Sequence, residues 1–78
     1  MDLNTIITTI KNEGLTLSEL DELITTKEII ELYENDENEK ANELLSKLED
    51  EYIEELEKNN IKLKYNDKKD VYEFFVED

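Results

Sequence analysis

The side chains with the clearest chemical potential are six carboxylates within nine residues, from Glu49 to Glu57. Carboxylates serve as general acids or bases, as metal ligands and as partners of basic side chains. The chain has no His or Cys and no glycine-rich phosphate loop that could work with them. We therefore expect no enzyme, no catalytic residue, no metal site and no cofactor, and we interpret the carboxylates as a source of charge.

The carboxylates lie on a stretch, Glu37 to Asn60, whose apolar residues recur at helical spacing, so one long amphipathic helix capped by Asp36 or Asn38 is predicted. Glu49 and Glu55 fall near the apolar stripe and suit contacts within the domain. The remaining acids point away from the apolar stripe, except Glu51, which lies beside it. The predicted partner-binding residues are Glu39, Glu43, Asp50, Glu51, Glu54, Glu57 and the apolar Ile53 beside them.

Two apolar residues allow two interpretations each. Ile53 could anchor a partner inside a rim of carboxylates, or it could pack under the next element of the domain. Phe75 could bind a partner or form a homodimer, or a helix could cover it.

Boundary signals divide the first half of the chain into three short helices. Asp2 is the predicted N-cap of the first helix, and Gly14 ends it in a left-handed conformation. The second helix is predicted to begin at about Leu17 and the third to run roughly from Thr26 to Glu34. Two capping boxes with hydrophobic staples mark these starts: Thr16 with Glu19 between Leu15 and Leu20, and Thr25 with Glu28 between Ile24 and Ile29.

Alternating apolar and polar residues after the long helix predict a β-hairpin with Lys68 and Lys69 in its turn. Its predicted pairs are Tyr65 with Tyr72, Leu63 with Phe74, Ile61 with Val76 and, on the outer face, Lys64 with Glu73. The tyrosines at positions 33, 52, 65 and 72 are expected on core-facing stripes. The predicted fold is a single α+β domain over residues 1–78, with about four helices followed by a C-terminal antiparallel β-hairpin.

The net charge limits the kinds of partner that the chain can bind. There are 23 acidic residues against nine lysines, which gives a net charge of −14. Such a chain is repelled by nucleic acid and by anionic lipid, so we expect no direct nucleic acid and no membrane, and a basic protein as partner. The N-terminus lacks the features of a signal peptide and no apolar run could span a bilayer, so a cytoplasmic location is expected.

The order of the predicted elements resembles that of a winged-helix domain. The segment LTLSEL, from Leu15 to Leu20, resembles the opening of the second helix of many helix-turn-helix domains, and LEKNNIKLKYNDKKDVYEFFVED resembles a last helix running into a wing. That resemblance implies a recognition helix in the major groove. Phosphate contact needs basic side chains, however, and Glu39 to Lys58 holds eight acids against three lysines.

The size, the acidity and the lack of catalytic residues also resemble those of small inhibitors from phages and mobile elements, of the nucleic-acid-mimic and anti-CRISPR types. That resemblance implies a non-catalytic inhibitor of a basic nucleic-acid-binding enzyme, such as a defence nuclease, acting in the cytoplasm of the host cell if a phage encodes it. The alternative is a protein–protein interaction module, such as an antitoxin, adaptor or regulatory subunit, that docks through Ile53 or Phe75.

Overall fold

Four helices precede a two-stranded antiparallel sheet in the computed structural model, which describes residues 2–77. The predicted α+β fold with a C-terminal hairpin is therefore confirmed. The elements are α1 (Leu3–Asn12), α2 (Leu17–Ile24), α3 (Lys27–Glu34), α4 (Asn38–Lys58), β1 (Ile61–Asn66) and β2 (Val71–Val76).

The first two helices begin and end as predicted. The Asp2 carboxylate accepts a hydrogen bond from the Thr5 N–H over 2.9 Å and so caps α1. Gly14 follows this helix with φ of 82°, a conformation that a Cβ would disfavour. The capping box of α2 is complete, because Thr16 and Glu19 each accept the other's backbone N–H over 3.1 Å.

The starts of α3 and α4 differ from the prediction. Thr26, not Thr25, caps α3 by accepting the Ile29 N–H over 3.3 Å, because the Thr25 hydroxyl already donates to the Asp21 carbonyl oxygen of α2 over 2.5 Å. The box and staple proposed around Thr25 are therefore wrong. Neither Asp36 nor Asn38 caps α4: Glu37 precedes the helix and makes no side-chain cap bond.

The hairpin has the predicted register, and it gains a partner that was not predicted. Residues Ile61 to Asn66 pair with Val71 to Val76, including all four expected pairs. The Phe74 N–H also donates to the Leu15 carbonyl oxygen over 3.0 Å, and Thr16 forms a β-bridge with Glu73. Thus β2 lies between β1 and the segment that precedes α2.

The Glu73 carboxylate contacts residues other than Lys64, its partner in the register. Although Lys64 and Glu73 are register partners, the Glu73 carboxylate accepts from the Asn66 side-chain amide over 2.8 Å and lies 3.9 Å from the Lys69 ammonium. Glu73 is half-buried because the Thr16 segment lies alongside it. It therefore does not lie on an open outer face.

The main core joins α1, α2, the C-terminal half of α4 and the hairpin. Two further buried residues, Ile29 and Ala41, lie outside this cluster, on α3 and the first half of α4, and α3 packs mainly against α4. The apolar contacts are therefore divided between a main cluster and a small outlying one. The buried members of the main cluster are Ile6, Ile10, Leu15, Leu20, Ile24, Leu56, Ile61 and Phe74.

The prediction that all four tyrosines lie on core-facing stripes is wrong for three of them. Tyr52 is half-buried against the main cluster, whereas Tyr33 is exposed and donates its hydroxyl hydrogen to the Asn42 side-chain oxygen. Tyr65 and Tyr72 are about half exposed and meet edge to face with ring centroids 5.2 Å apart. They lie next to the turn, and the buried hairpin residues Ile61 and Phe74 lie farther along the strands.

Candidate functional site: the outer face of α4

The helix α4 places its carboxylates by simple periodicity. Its apolar side, from Ala41 to Leu56, is buried or half-buried, so residues on the opposite side must face solvent. All six carboxylates predicted to bind a partner are exposed there: Glu39, Glu43, Asp50, Glu51, Glu54 and Glu57. The helix thus holds them on one rigid element.

The ion pairs of α4 involve other acids. The Lys40 ammonium lies 3.2 Å from the Glu37 carboxylate, and the Lys58 ammonium lies 3.1 Å from that of Glu55. The hydrogen bond to Glu55, with a smaller contribution from the charge of Glu54, raises the pKa of Lys58. Glu55 is therefore engaged within the domain, as its position near the apolar stripe predicted. Within residues 2–77, no ion pair includes any of the six outward carboxylates.

Two of the six border clefts between α3 and α4. Glu51 lines a cleft of about 320 Å³ together with Ile29 and Lys47, and Glu43 lines a neighbouring cleft of about 420 Å³ that also includes Lys47. Lys47 is four residues from each of these acids and offsets part of their charge. Asp50, Glu54 and Glu57, towards the C-terminal end of α4, line neither of these clefts.

Ile53 differs from the carboxylates beside it. It is half-buried and packs against the main core cluster. Much of its apolar surface is therefore already used within the domain. Phe75, in contrast, remains 40% exposed on β2.

A pair of carboxyls lies between α2 and α4. Glu49, which was expected to make a contact within the domain, is half-buried, and its carboxyl lies close to that of Asp21 of α2. This contact, followed by burial and by the charges of Asp21 and Asp50, raises the pKa of Glu49 to about 7. The position of Glu49 at the edge of an apolar stripe indicated a contact within the domain, but it did not identify Asp21 as the partner.

The hairpin turn carries a further polar contact. The Tyr65 hydroxyl donates to the Asp70 carboxylate, and this hydrogen bond raises the pKa of Tyr65. Asp70 has φ of 56°, a left-handed conformation that Asp tolerates better than most residues. The contact helps fix the turn, and it lies apart from the outer face of α4.

The described residues include no helix that is long and apolar enough to cross a membrane. In the same part of the chain, His, Cys, Asp and Glu side chains form no group of three or more that could hold a metal ion. The resemblance to winged-helix domains and that to acidic inhibitors both remain predictions, because comparison of the chain with protein-family models, curated proteins and solved structures finds no match.

Proposed function

We propose that this domain is a non-catalytic inhibitor that binds a basic nucleic-acid-binding protein, with the carboxylates of α4 standing in for phosphates. The observation that carries the proposal is the set of six exposed carboxylates on α4, which no described lysine engages in an ion pair. Their hydration can be exchanged for charge-assisted hydrogen bonds from Lys or Arg of a partner.

The dimensions of the surface support this function. At about 1.5 Å per residue, Glu39 and Glu57 are separated by about 27 Å along the helix, so neighbouring carboxylates of the six are on average about 5.4 Å apart along its axis. One strand of a nucleic acid carries a phosphate every 3.4 Å or so along its axis. A groove whose basic side chains follow one strand could therefore meet several of these carboxylates at once.

The net charge of the domain also supports the proposed inhibitor function. A net charge of −14 on a small domain attracts a basic partner over roughly a Debye length, about 8 Å at physiological ionic strength. Such attraction accelerates association and falls steeply as salt is added. Binding should therefore weaken with ionic strength and compete with nucleic acid for the same groove.

The test begins with affinity purification of a partner from the native host, followed by binding measurements with purified components. Reversal of Asp50, Glu54 and Glu57 to Lys removes three of the six exposed carboxylates of α4. The matched control reverses Glu22, Glu31 and Asp67, which are exposed acids on other elements, and so changes the net charge by the same amount.

We expect the α4 variant to lose binding, whereas the control should keep most of it, and we expect duplex DNA or RNA to displace the wild-type domain. Circular dichroism verifies that both variants are folded. Binding of the α4 variant at wild-type affinity would contradict the proposal.

The second candidate function is an interaction module, such as an antitoxin, adaptor or regulatory subunit, that docks through the hairpin. The observation that favours it is the exposure of Phe75, which is 40% exposed on β2. Under this function Phe75→Asp should abolish binding and salt should matter little. Ile53→Asp is a poor test, because Ile53 packs against the core and its replacement would also destabilise the domain.

The exposed Phe75 would also serve a homodimer. Sedimentation of the wild-type domain and of Phe75→Asp distinguishes the two arrangements, since only a homodimer gives a mass that falls to that of a monomer in the variant.

A further inference from the structure

The α2–α4 interface contains a carboxylate oxygen that needs a hydrogen-bond donor. Asp21 Oδ1 is shielded from water and has no hydrogen-bond partner among the described residues. An ionised oxygen in this position costs free energy, because it has lost its hydration and gained nothing in return. A donor close to Asp21 would remove that cost.

Glu49 of α4 is the side chain placed to supply the donor. Asp21 is the group that acts most strongly on the Glu49 carboxyl, so the two carboxyls lie close together across the interface. Two ionised carboxylates are acceptors only and repel each other, so the contact is a hydrogen bond only if one of them holds a proton. With that proton the pair forms a short, charge-assisted O–H···O⁻ bond across the two helices.

The charges near Glu49 also favour its protonated form. Asp21 on α2 and Asp50 on α4 itself are the two charges that act on Glu49, and both disfavour its ionisation. The other elements with extensive packing against α4 are α3 and β1, and neither carries a charge among those that act on Glu49.

We propose that Asp21 and Glu49 share a single proton and form a proton-dependent clasp between α2 and α4. The clasp is closed while the proton is held. It opens when the proton is lost at and above neutral pH, because two carboxylates then face each other across the interface. This inference concerns the domain itself and does not depend on the identity of a partner.

The dependence on pH follows from linkage. The pKa of Glu49 is about 7 in the folded domain and has an ordinary value of 4.5 in an unfolded chain. Between these values the folded state holds a proton that the unfolded state has released, so the free energy of unfolding falls as the pH rises through this window. The contribution of the clasp is complete below the lower value and is lost above the higher one.

The test combines titration of Glu49 with the melting temperature. The midpoint for the Glu49 side-chain carboxyl carbon, followed by NMR in the full-length domain, is expected near 7, and Asp21→Asn should move it towards 4.5. Glu49→Gln supplies a permanent neutral donor to Asp21. This variant should melt several degrees above the wild type at about pH 8 and should lose most of the wild-type decline in Tm between about pH 5.5 and about pH 8.

The matched control is Glu51→Gln, which removes one negative charge from an exposed position on the same helix. Its Tm should decline with pH as the wild type's does. A wild-type Glu49 midpoint near 4.5 would overturn the proposal, and so would a Glu49→Gln variant whose Tm declines as steeply as that of the control. The wild-type NMR titration decides the question even if a variant fails to fold.

Discussion

The backbone N–H of Phe74 donates a hydrogen bond to the carbonyl oxygen of Leu15 over 3.0 Å, and both side chains are buried in the same cluster. A two-stranded hairpin is only marginally stable by itself. This bond fastens β2 to the segment that leads into α2, while β1 follows α4 after two residues. The hairpin is therefore held from both sides and belongs to the core.

Thr16 is expected to stabilise the start of α2 through its side chain. Thr16→Ala removes the acceptor of the Glu19 N–H and should lower the free energy of unfolding by about 1 kcal/mol. Urea denaturation measures the loss. Ser18→Ala, in the first turn of the same helix and exposed, is the control and should change stability by less than about 0.5 kcal/mol. Equal effects of the two substitutions would contradict this role of the cap.

Leu56 is expected to be among the most important core residues, because it is fully buried on α4 between the helices and the hairpin. Leu56→Ala should lower the free energy of unfolding by about 2–5 kcal/mol, a large part of the total for a domain of this size. The control, Ile30→Ala, alters a side chain that is 47% exposed and should cost much less. Denaturant midpoints that fall equally in both variants would show that Leu56 is less tightly packed than described.

Asn60 ends the link between α4 and β1 in a left-handed conformation, with φ of 62°. Asn60→Ala should therefore cost about 1 kcal/mol, because Ala adopts this conformation less readily. Asn60→Gly should be neutral or slightly stabilising, since Gly has no Cβ to strain. The comparison of Gly with Ala by thermal denaturation checks the conformation directly: Ala melting at or above Gly would be inconsistent with it.

A basic partner on the outer face of α4 should release a proton from the clasp, a prediction that rests on the proposed function. The charge of Asp50 helps to raise the pKa of Glu49, so cations bound beside Asp50 would lower that pKa and favour ionisation. Calorimetry near pH 7 in buffers of different ionisation enthalpy should then give different binding enthalpies. Glu49→Gln should abolish the difference, and identical enthalpies for the wild type would exclude the coupling.

Local signals predicted most of the fold. Gly14, the Thr16–Glu19 box and the alternation in the hairpin each determine a boundary or a register through the backbone of a few neighbouring residues. Local signals did not predict the cap of α3, because the adjacent residues Thr25 and Thr26 could both cap a helix. A contact with the preceding helix, the hydroxyl of Thr25 to the Asp21 carbonyl oxygen, decides between them.

Helical periodicity was sufficient to predict which face of α4 each acid of the candidate site occupies. The helical wheel placed Glu39 and Glu57 outward and Glu55 near the apolar edge, and the exposures and the Glu55–Lys58 ion pair agree with it. Periodicity assigns a side chain to a face, but it does not identify the residue that meets it from another element. The contact of Glu49 with Asp21 and the pairing of Leu15 with Phe74 both join distant parts of the chain, so neither could be derived from local pattern.

The division of the apolar contacts into a main cluster and an outlying pair has a consequence for the dynamics of α4. Because α3 packs mainly against α4 and Ile29 lies outside the main cluster, we expect α3 to open away from α4 while the main cluster stays intact. Amide exchange should then separate two cooperative units, with the amides near Ile29 and Ala41 exchanging faster than those near Leu56. A ligand that contacted the whole length of α4 would join these units and slow exchange in α3, which it need not touch.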